Sequence, residues 1–124
     1  MSDTPPPPSS ATLSELTDLA NRYRDERDWR QFHNAKDAAI SLVLEAAELL
    51  EHTQWKNGEP LADAMQRNRA EVADELADIL YWVLVMAHDL GIDLGDAFKQ
   101  KLLKNAEKYP IAKAKGLAVK YTKL

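Results

Sequence analysis

Cysteine is absent from this chain, which excludes a disulfide framework, a zinc finger, any thiolate metal site and a thiol nucleophile. Positive charge is in deficit. With 16 Lys and Arg against 20 Asp and Glu the formal charge is −4, so no global field draws the protein to a nucleic-acid backbone, and polymeric DNA or RNA is not an expected partner. Long apolar runs are missing as well. No stretch approaches ~18 uninterrupted apolar residues, and nothing at the N-terminus combines a basic start with an apolar run of signal length. The expectation is a cytoplasmic protein with no membrane partner. Convincing strand-like alternation is also lacking, so the fold class indicated is all-α.

What is present suits a single soluble domain: 124 residues, 45% of them hydrophobic and 29% charged. Residues 1–11 hold Pro5 to Pro8 in a row and almost nothing that can be buried; they read as a disordered Pro-rich tail without an assigned role. Residues 12–110 read as the helical catalytic domain. Residues 111–124, with Lys113, Lys115, Lys120 and Lys123, read as a C-terminal arm, either ordered or a loose basic tail.

A capping-box pattern, Thr12-x-x-Glu15, opens a first helix that carries Leu13, Leu16, Leu19, Ala20 and Tyr23 at helical spacing and is expected to run to about Arg30. Asn34 caps a second, apolar around most of its girth, up to the break at Asn57-Gly58. A third is expected from Glu59-Pro60 to Asp89-Leu90 with Gly91 as its cap, and a fourth from Asp93 to Tyr109-Pro110. Short connections between four such helices indicate a four-helix bundle. A central helix this apolar exceeds what three partners of this size cover, so oligomerisation is expected.

At ~100° per residue, Ser41, Glu45, Glu48 and His52 share one narrow stripe of the second helix, and Glu71, Glu75, Asp78, Trp82 and Asp89 share one on the third. A single Glu-x-x-Glu is usually a solvated helix face. Here the i, i+3 acid pair occurs twice on consecutive helices with no Lys or Arg interleaved, unlike a solvated stripe, which mixes signs. Like charges at ~4 Å repel by about 4 kcal/mol at an effective dielectric near 20, so two such faces need a compensating cation if they approach. All-oxygen donors favour Mg²⁺ or Mn²⁺, and magnesium recruits substrate phosphates.

The series Glu45-x-x-Glu48, Glu75-x-x-Asp78 and Lys101-x-x-x-Asn105-x-x-Lys108-Tyr109-Pro110 resembles the MazG-like all-α nucleoside triphosphate pyrophosphohydrolases. Residues 24–33 (RDERDWRQFH), the pair Gln54-Trp55 and the closing residues 120–124 (KYTKL) look like the dCTP pyrophosphatase branch, and the likeness runs from about residue 13 to the C-terminus. It implies an Mg²⁺-dependent cleavage of dCTP or a modified cytosine nucleotide to monophosphate and pyrophosphate. Glu45, Glu48, Glu75 and Asp78 would be the metal ligands, with Glu45 or Glu48 also activating the attacking water. Lys101, Asn105 and Lys108 would hold phosphate oxygens.

Trp29, Phe32, His33, Trp55, Trp82 and Tyr109 are the candidates for the base pocket, because an aromatic face stacks on any base while nearby polar groups choose among them. The resemblance also implies a homotetramer. Three positions depart from the family pattern: Leu44 stands before Glu45 where many members have a second acid, Lys108 where Arg is frequent, and Trp82 where the branch has a smaller aromatic. The competing readings are the same chemistry on dUTP or another non-standard dNTP, and a non-catalytic helical interaction module.

Overall fold

The computed structural model describes residues 8–124; the greater part of the proline-rich tail, residues 1–7, lies outside the described residues. Among the described residues every regular element is helical, and the chain divides into two compact units, Met1–Gly91 and Ile92–Leu124.

In the first unit, α1 (Leu13–Glu26) starts where the capping box places it. Thr12 Oγ1 accepts the Glu15 amide at 3.1 Å, and the Glu15 carboxylate accepts the Thr12 amide at 3.4 Å. The helix stops at Glu26 rather than near Arg30. Asp28 adopts φ 52, a left-handed backbone that ends α-helical bonding, and the chain continues through a single 3₁₀ turn, Arg30–Phe32. Helix α2 (Ala35–Thr53) begins with Asn34 Oδ1 accepting the Asp37 amide at 2.8 Å.

The single third helix expected from Glu59-Pro60 onward is instead two, α3 (Gly58–Arg67) and α4 (Arg69–Asp89). The break falls at Asn68, φ −101 and ψ 20, a residue of low helix propensity that serves as C-cap of one helix and N-cap of the next without a side-chain cap. The polar run Gln66-Arg67-Asn68-Arg69 interrupts the apolar spacing here, but no Gly or Pro marks a stop, so a continuous helix is the simpler reading of the pattern. At the far end Leu90 caps α4 and Gly91 takes φ 67, as the helix-stop signal requires.

The seam between α2 and α4 is the most extensive helix pair, followed by α1 against α4. Small side chains line the closest approaches: Ala20, Ala38, Ala64 and Ala87 are buried, with Leu84 and Val85 beside them. The α2 face turned inward carries Ala38, Ser41, Leu42, Glu45, Leu49 and His52, all buried or half-buried. On the opposite face Ile40, Val43, Leu44 and Leu50 are exposed, Val43 by 65% and Leu50 by 58%. A single chain therefore leaves a continuous apolar stripe of its central helix in water.

In the second unit, α5 (Leu94–Lys108) starts with Asp93 Oδ1 accepting the Asp96 amide at 3.0 Å. A short helix, α6 (Ile111–Ala114), and a 3₁₀ turn (Tyr121–Lys123) follow. The terminal segment folds back on the end of α5: Tyr121 packs edge-on against Tyr109 at 5.9 Å, and Lys108 Nζ lies 5.0 Å from the centre of the Tyr121 ring. Among the described residues no helix is long and apolar enough to cross a membrane.

Candidate active site

Because α2 and α4 pack along their acidic stripes, the two acid pairs meet inside the first unit. Glu48, Asp78 and Glu75 all act electrostatically on Glu45. Its carboxyl is held above the ordinary glutamate range, first by burial and then by these neighbouring negative charges. One oxygen of Glu45 and one of Glu75 are sealed from solvent without a hydrogen-bond partner. His52 Nε2 stands 2.9 Å from Glu75 Oε2, a close contact that lacks hydrogen-bond alignment. Buried carboxylate oxygens without donors are costly, and a hard cation is a group that would satisfy them.

Among the described residues no three His, Asp or Glu side chains converge into a ready-made cage for a metal ion. The donor set fits magnesium or manganese: it is all carboxylate, half-buried at Glu45 and Glu75 and exposed at Glu48 and Asp78.

Next to the acids lies a cavity of about 590 Å³. Glu45 and Asp78 form its polar wall, while Trp29, His33, Tyr81 and Trp82 supply aromatic walls from the 3₁₀ turn region and α4. These rings support one another edge to face. His33 meets Trp82 at 5.1 Å, Tyr81 meets Trp82 at 5.1 Å, and Tyr23 meets both Trp29 and Tyr81, at 5.5 and 6.1 Å. A largely apolar, open cavity with aromatic walls beside a carboxylate cluster has the chemistry to take a ligand with an aromatic ring at one end and a metal-bound anion at the other.

Of the residues singled out in the sequence, Glu45, Asp78, Trp29, His33 and Trp82 line this one cavity. Glu48 and Glu75 belong to the acid cluster but not to the cavity wall. Phe32, exposed by 66%, and Trp55, exposed by 92% at φ 67, lie outside it. In the second unit Lys101, Asn105 and Lys108 share one stripe of α5, and Tyr109 caps that helix. Tyr23 and Tyr81, which sequence reasoning passed over, are cavity residues. The available signal was position: Tyr81 directly precedes Trp82, and Tyr23 sits one turn beyond Leu19 and Ala20 on the apolar stripe of α1.

A buried cation stands behind the aromatic wall. Arg24 is fully buried, grips Asp89 with two hydrogen bonds of 2.9 and 2.8 Å and donates to Asn21 Oδ1 at 2.6 Å. The Arg24 grip holds the Asp89 carboxyl below the usual carboxylate range.

Comparison with known proteins agrees with this geometry. The chain matches the model of the MazG-like family over residues 40–124. It is 38% identical over 118 residues to dCTP pyrophosphatase 1 of Bos taurus, covering 94% of this chain and 70% of that protein. Against dCTP pyrophosphatase 1 of Homo sapiens the identity is 36% over 115 residues, 91% of this chain and 68% of the relative. Among solved structures, a pyrophosphatase from Archaeoglobus fulgidus superposes with a TM-score of 0.75 at 34% identity, covering 86% of this chain and 99% of that one. With acid pairs on two facing helices, an aromatic cavity beside them and a family match over most of its length, the chain belongs to the MazG-like family.

Proposed function

We infer that this protein is a nucleoside triphosphate pyrophosphohydrolase that cuts between the α and β phosphates, with dCTP or a modified cytosine nucleotide as its preferred substrate. The observation that carries the reading is the meeting of Glu45, Glu48, Glu75 and Asp78 across the α2–α4 seam, at the mouth of an aromatic cavity. The cytosine preference draws on the names of the relatives, dCTP pyrophosphatase 1.

Glu45, Glu48, Glu75 and Asp78 would hold Mg²⁺, which when bound neutralises the triphosphate and acidifies the attacking water. Each protein group then has a distinct task. Glu45 or Glu48 is suited to orient the water and take its proton as it attacks the α phosphorus. Trp29 and Trp82 sandwich or flank the base and keep water from that end of the site. Lys101, Asn105 and Lys108 are proposed to bind the departing pyrophosphate, Lys as point charges and Asn as a neutral donor. Phe32, Trp55 and Tyr109 remain proposed base contacts outside the single-chain cavity.

Assembly is part of the same proposal. The stripe Ile40, Val43, Leu44 and Leu50 is about half exposed, so each side chain gains about 1–2 kcal/mol on full burial, which favours a homo-oligomer, a tetramer by family resemblance. A cytoplasmic location suits both a cysteine-free chain and a substrate drawn from the nucleotide pool.

The decisive experiment incubates pure protein with each dNTP, with dUTP and with 5-methyl-dCTP, in Mg²⁺ and in EDTA, and resolves products by ion exchange. Monophosphate and pyrophosphate formed only with Mg²⁺, fastest from a cytosine nucleotide, is the expected result. Diphosphate and free phosphate mean that the wrong bond is cut; no product from any nucleotide favours a non-catalytic module.

A further inference from the structure

His33 enters the cavity wall with one ring nitrogen already committed. Its Nδ1 lies 3.4 Å from Arg24 Nη1. A guanidinium has donors only, so Nδ1 accepts and the ring proton sits on Nε2. The guanidinium itself does not turn away easily. Asp89 from α4 holds both of its terminal nitrogens, Asn21 from α1 holds Nη2, and the whole side chain is buried. Trp82 packs edge-on against the imidazole at 5.1 Å and fixes its plane. His33 Nε2 makes no hydrogen bond among the described residues and is not sealed from solvent.

We propose that Arg24 is a positioning residue for base selection, locking His33 in the tautomer whose Nε2–H is a fixed, uncharged donor to the N3 acceptor of a cytosine ring. The inference rests on the pyrophosphohydrolase reading of the cavity and adds a chemical basis for its choice of pyrimidine. Cytosine presents an acceptor at N3, whereas the O2 acceptor is common to all three pyrimidines. Uracil and thymine carry a proton on N3, so a fixed donor opposite that atom meets another donor and an unpaired polar contact results. A free histidine would evade this by moving its proton to Nδ1 and offering Nε2 as an acceptor; the Arg24 contact forbids that tautomer.

The charges around the ring support a neutral imidazole. Burial and the Arg24 cation disfavour its protonation, and Asp89 and Asp37 oppose them more weakly. A neutral donor selects by hydrogen-bond pattern rather than by attracting any anionic part of the nucleotide.

Two measurements test the proposal. Long-range ¹H–¹⁵N correlation spectra of the unaltered protein should show a pyridine-type Nδ1 and a pyrrole-type Nε2 for His33, a signature independent of catalysis. Steady-state kinetics on dCTP and dUTP should then show that Arg24→Met raises KM for dCTP and lowers it for dUTP. The discrimination should fall about tenfold while kcat changes little, the size expected for one hydrogen bond made or lost. His33→Gln, whose amide offers either a donor or an acceptor, should lose the same discrimination with Arg24 still in place.

A protonated Nδ1 in the wild type overturns the proposal, as does equal loss of activity on both nucleotides in Arg24→Met and unchanged discrimination in His33→Gln. Hydrolysis of no nucleotide by the wild type overturns the underlying enzymatic reading instead, and is recognisable because wild type and variants fail alike.

Discussion

His52 Nε2 lies 2.9 Å from Glu75 Oε2, which ties the acid stripe of α2 to the acid stripe of α4 across the seam. Neither side chain is on its own helix's solvent face; both are mostly covered, at 15% and 16% exposure. One acid of each pair, Glu45 and Glu75, is thus largely covered beside its exposed partner, and covered like charges are unfavourable for folding unless they serve a ligand.

Replacing Glu75 with Gln or Asp78 with Asn is expected to lower kcat/KM by at least about 100-fold, in the range of a lost metal ligand or general base. Far-ultraviolet circular dichroism should remain that of the wild type. Chelation by EDTA should abolish wild-type turnover, with activity restored by excess Mg²⁺ or Mn²⁺. Near-normal turnover in both variants would show that the acid cluster has been assigned the wrong task.

Glu45→Gln is expected to stabilise the metal-free protein while inactivating it. Because the folded state holds the Glu45 proton more tightly than the unfolded chain, ionising this group costs stability. The penalty is absent below the unfolded-state pKa, grows as pH rises toward the folded-state value and is full above it. At neutral pH in EDTA the variant should melt at a higher temperature than wild type, and the gap should close in acid. Added Mg²⁺ should raise the melting temperature of the wild type more than that of the variant.

Asp89→Asn should show the opposite pH dependence. Arg24 lowers the Asp89 pKa in the folded state, so the ionised pair contributes stability above the unfolded aspartate value and loses it as pH falls through the lower folded one. The variant should be less stable than wild type by about 1–2 kcal/mol at neutral pH, the pair being discounted for partial exposure of Asp89. Denaturant unfolding at neutral and strongly acidic pH should show the two proteins converging in acid.

Paired charges on the exposed face of α2, Val43→Asp with Leu50→Asp, are expected to break assembly. Light scattering should give an oligomer for the wild type and a smaller species for the variant, with the fall steepest at low protein concentration. A wild-type monomer of about 14 kDa by the same measurement would refute the assembly proposal.

Helix starts were legible because capping is local chemistry. Thr12 with Glu15, Asn34 and Asp93 each accept an amide within three residues of their own position, so a few letters contain the whole interaction. The acid pairs were legible too, since the i, i+3 offset puts both members on one helix face whatever the surroundings. The break at Asn68 and the early end of α1 were not, because neither point carries a Gly or Pro and each stop depends on the backbone conformation at Asn68 and Asp28.

Tertiary structure alone decided which stripes face each other. The sequence places Glu45 and Asp78 on their own helices, but only the α2–α4 seam makes them joint walls of one cavity, and only packing separates Trp29 and Trp82, inside it, from Trp55, outside. Tyr23, Tyr81 and the Arg24–Asp89 pair became visible for the same reason: their contacts join residues far apart in the chain, up to 65 positions for Arg24 and Asp89. Local pattern fixes what a helix offers on each face, because that follows from 3.6 residues per turn; which face meets which is settled by burial summed over the whole unit.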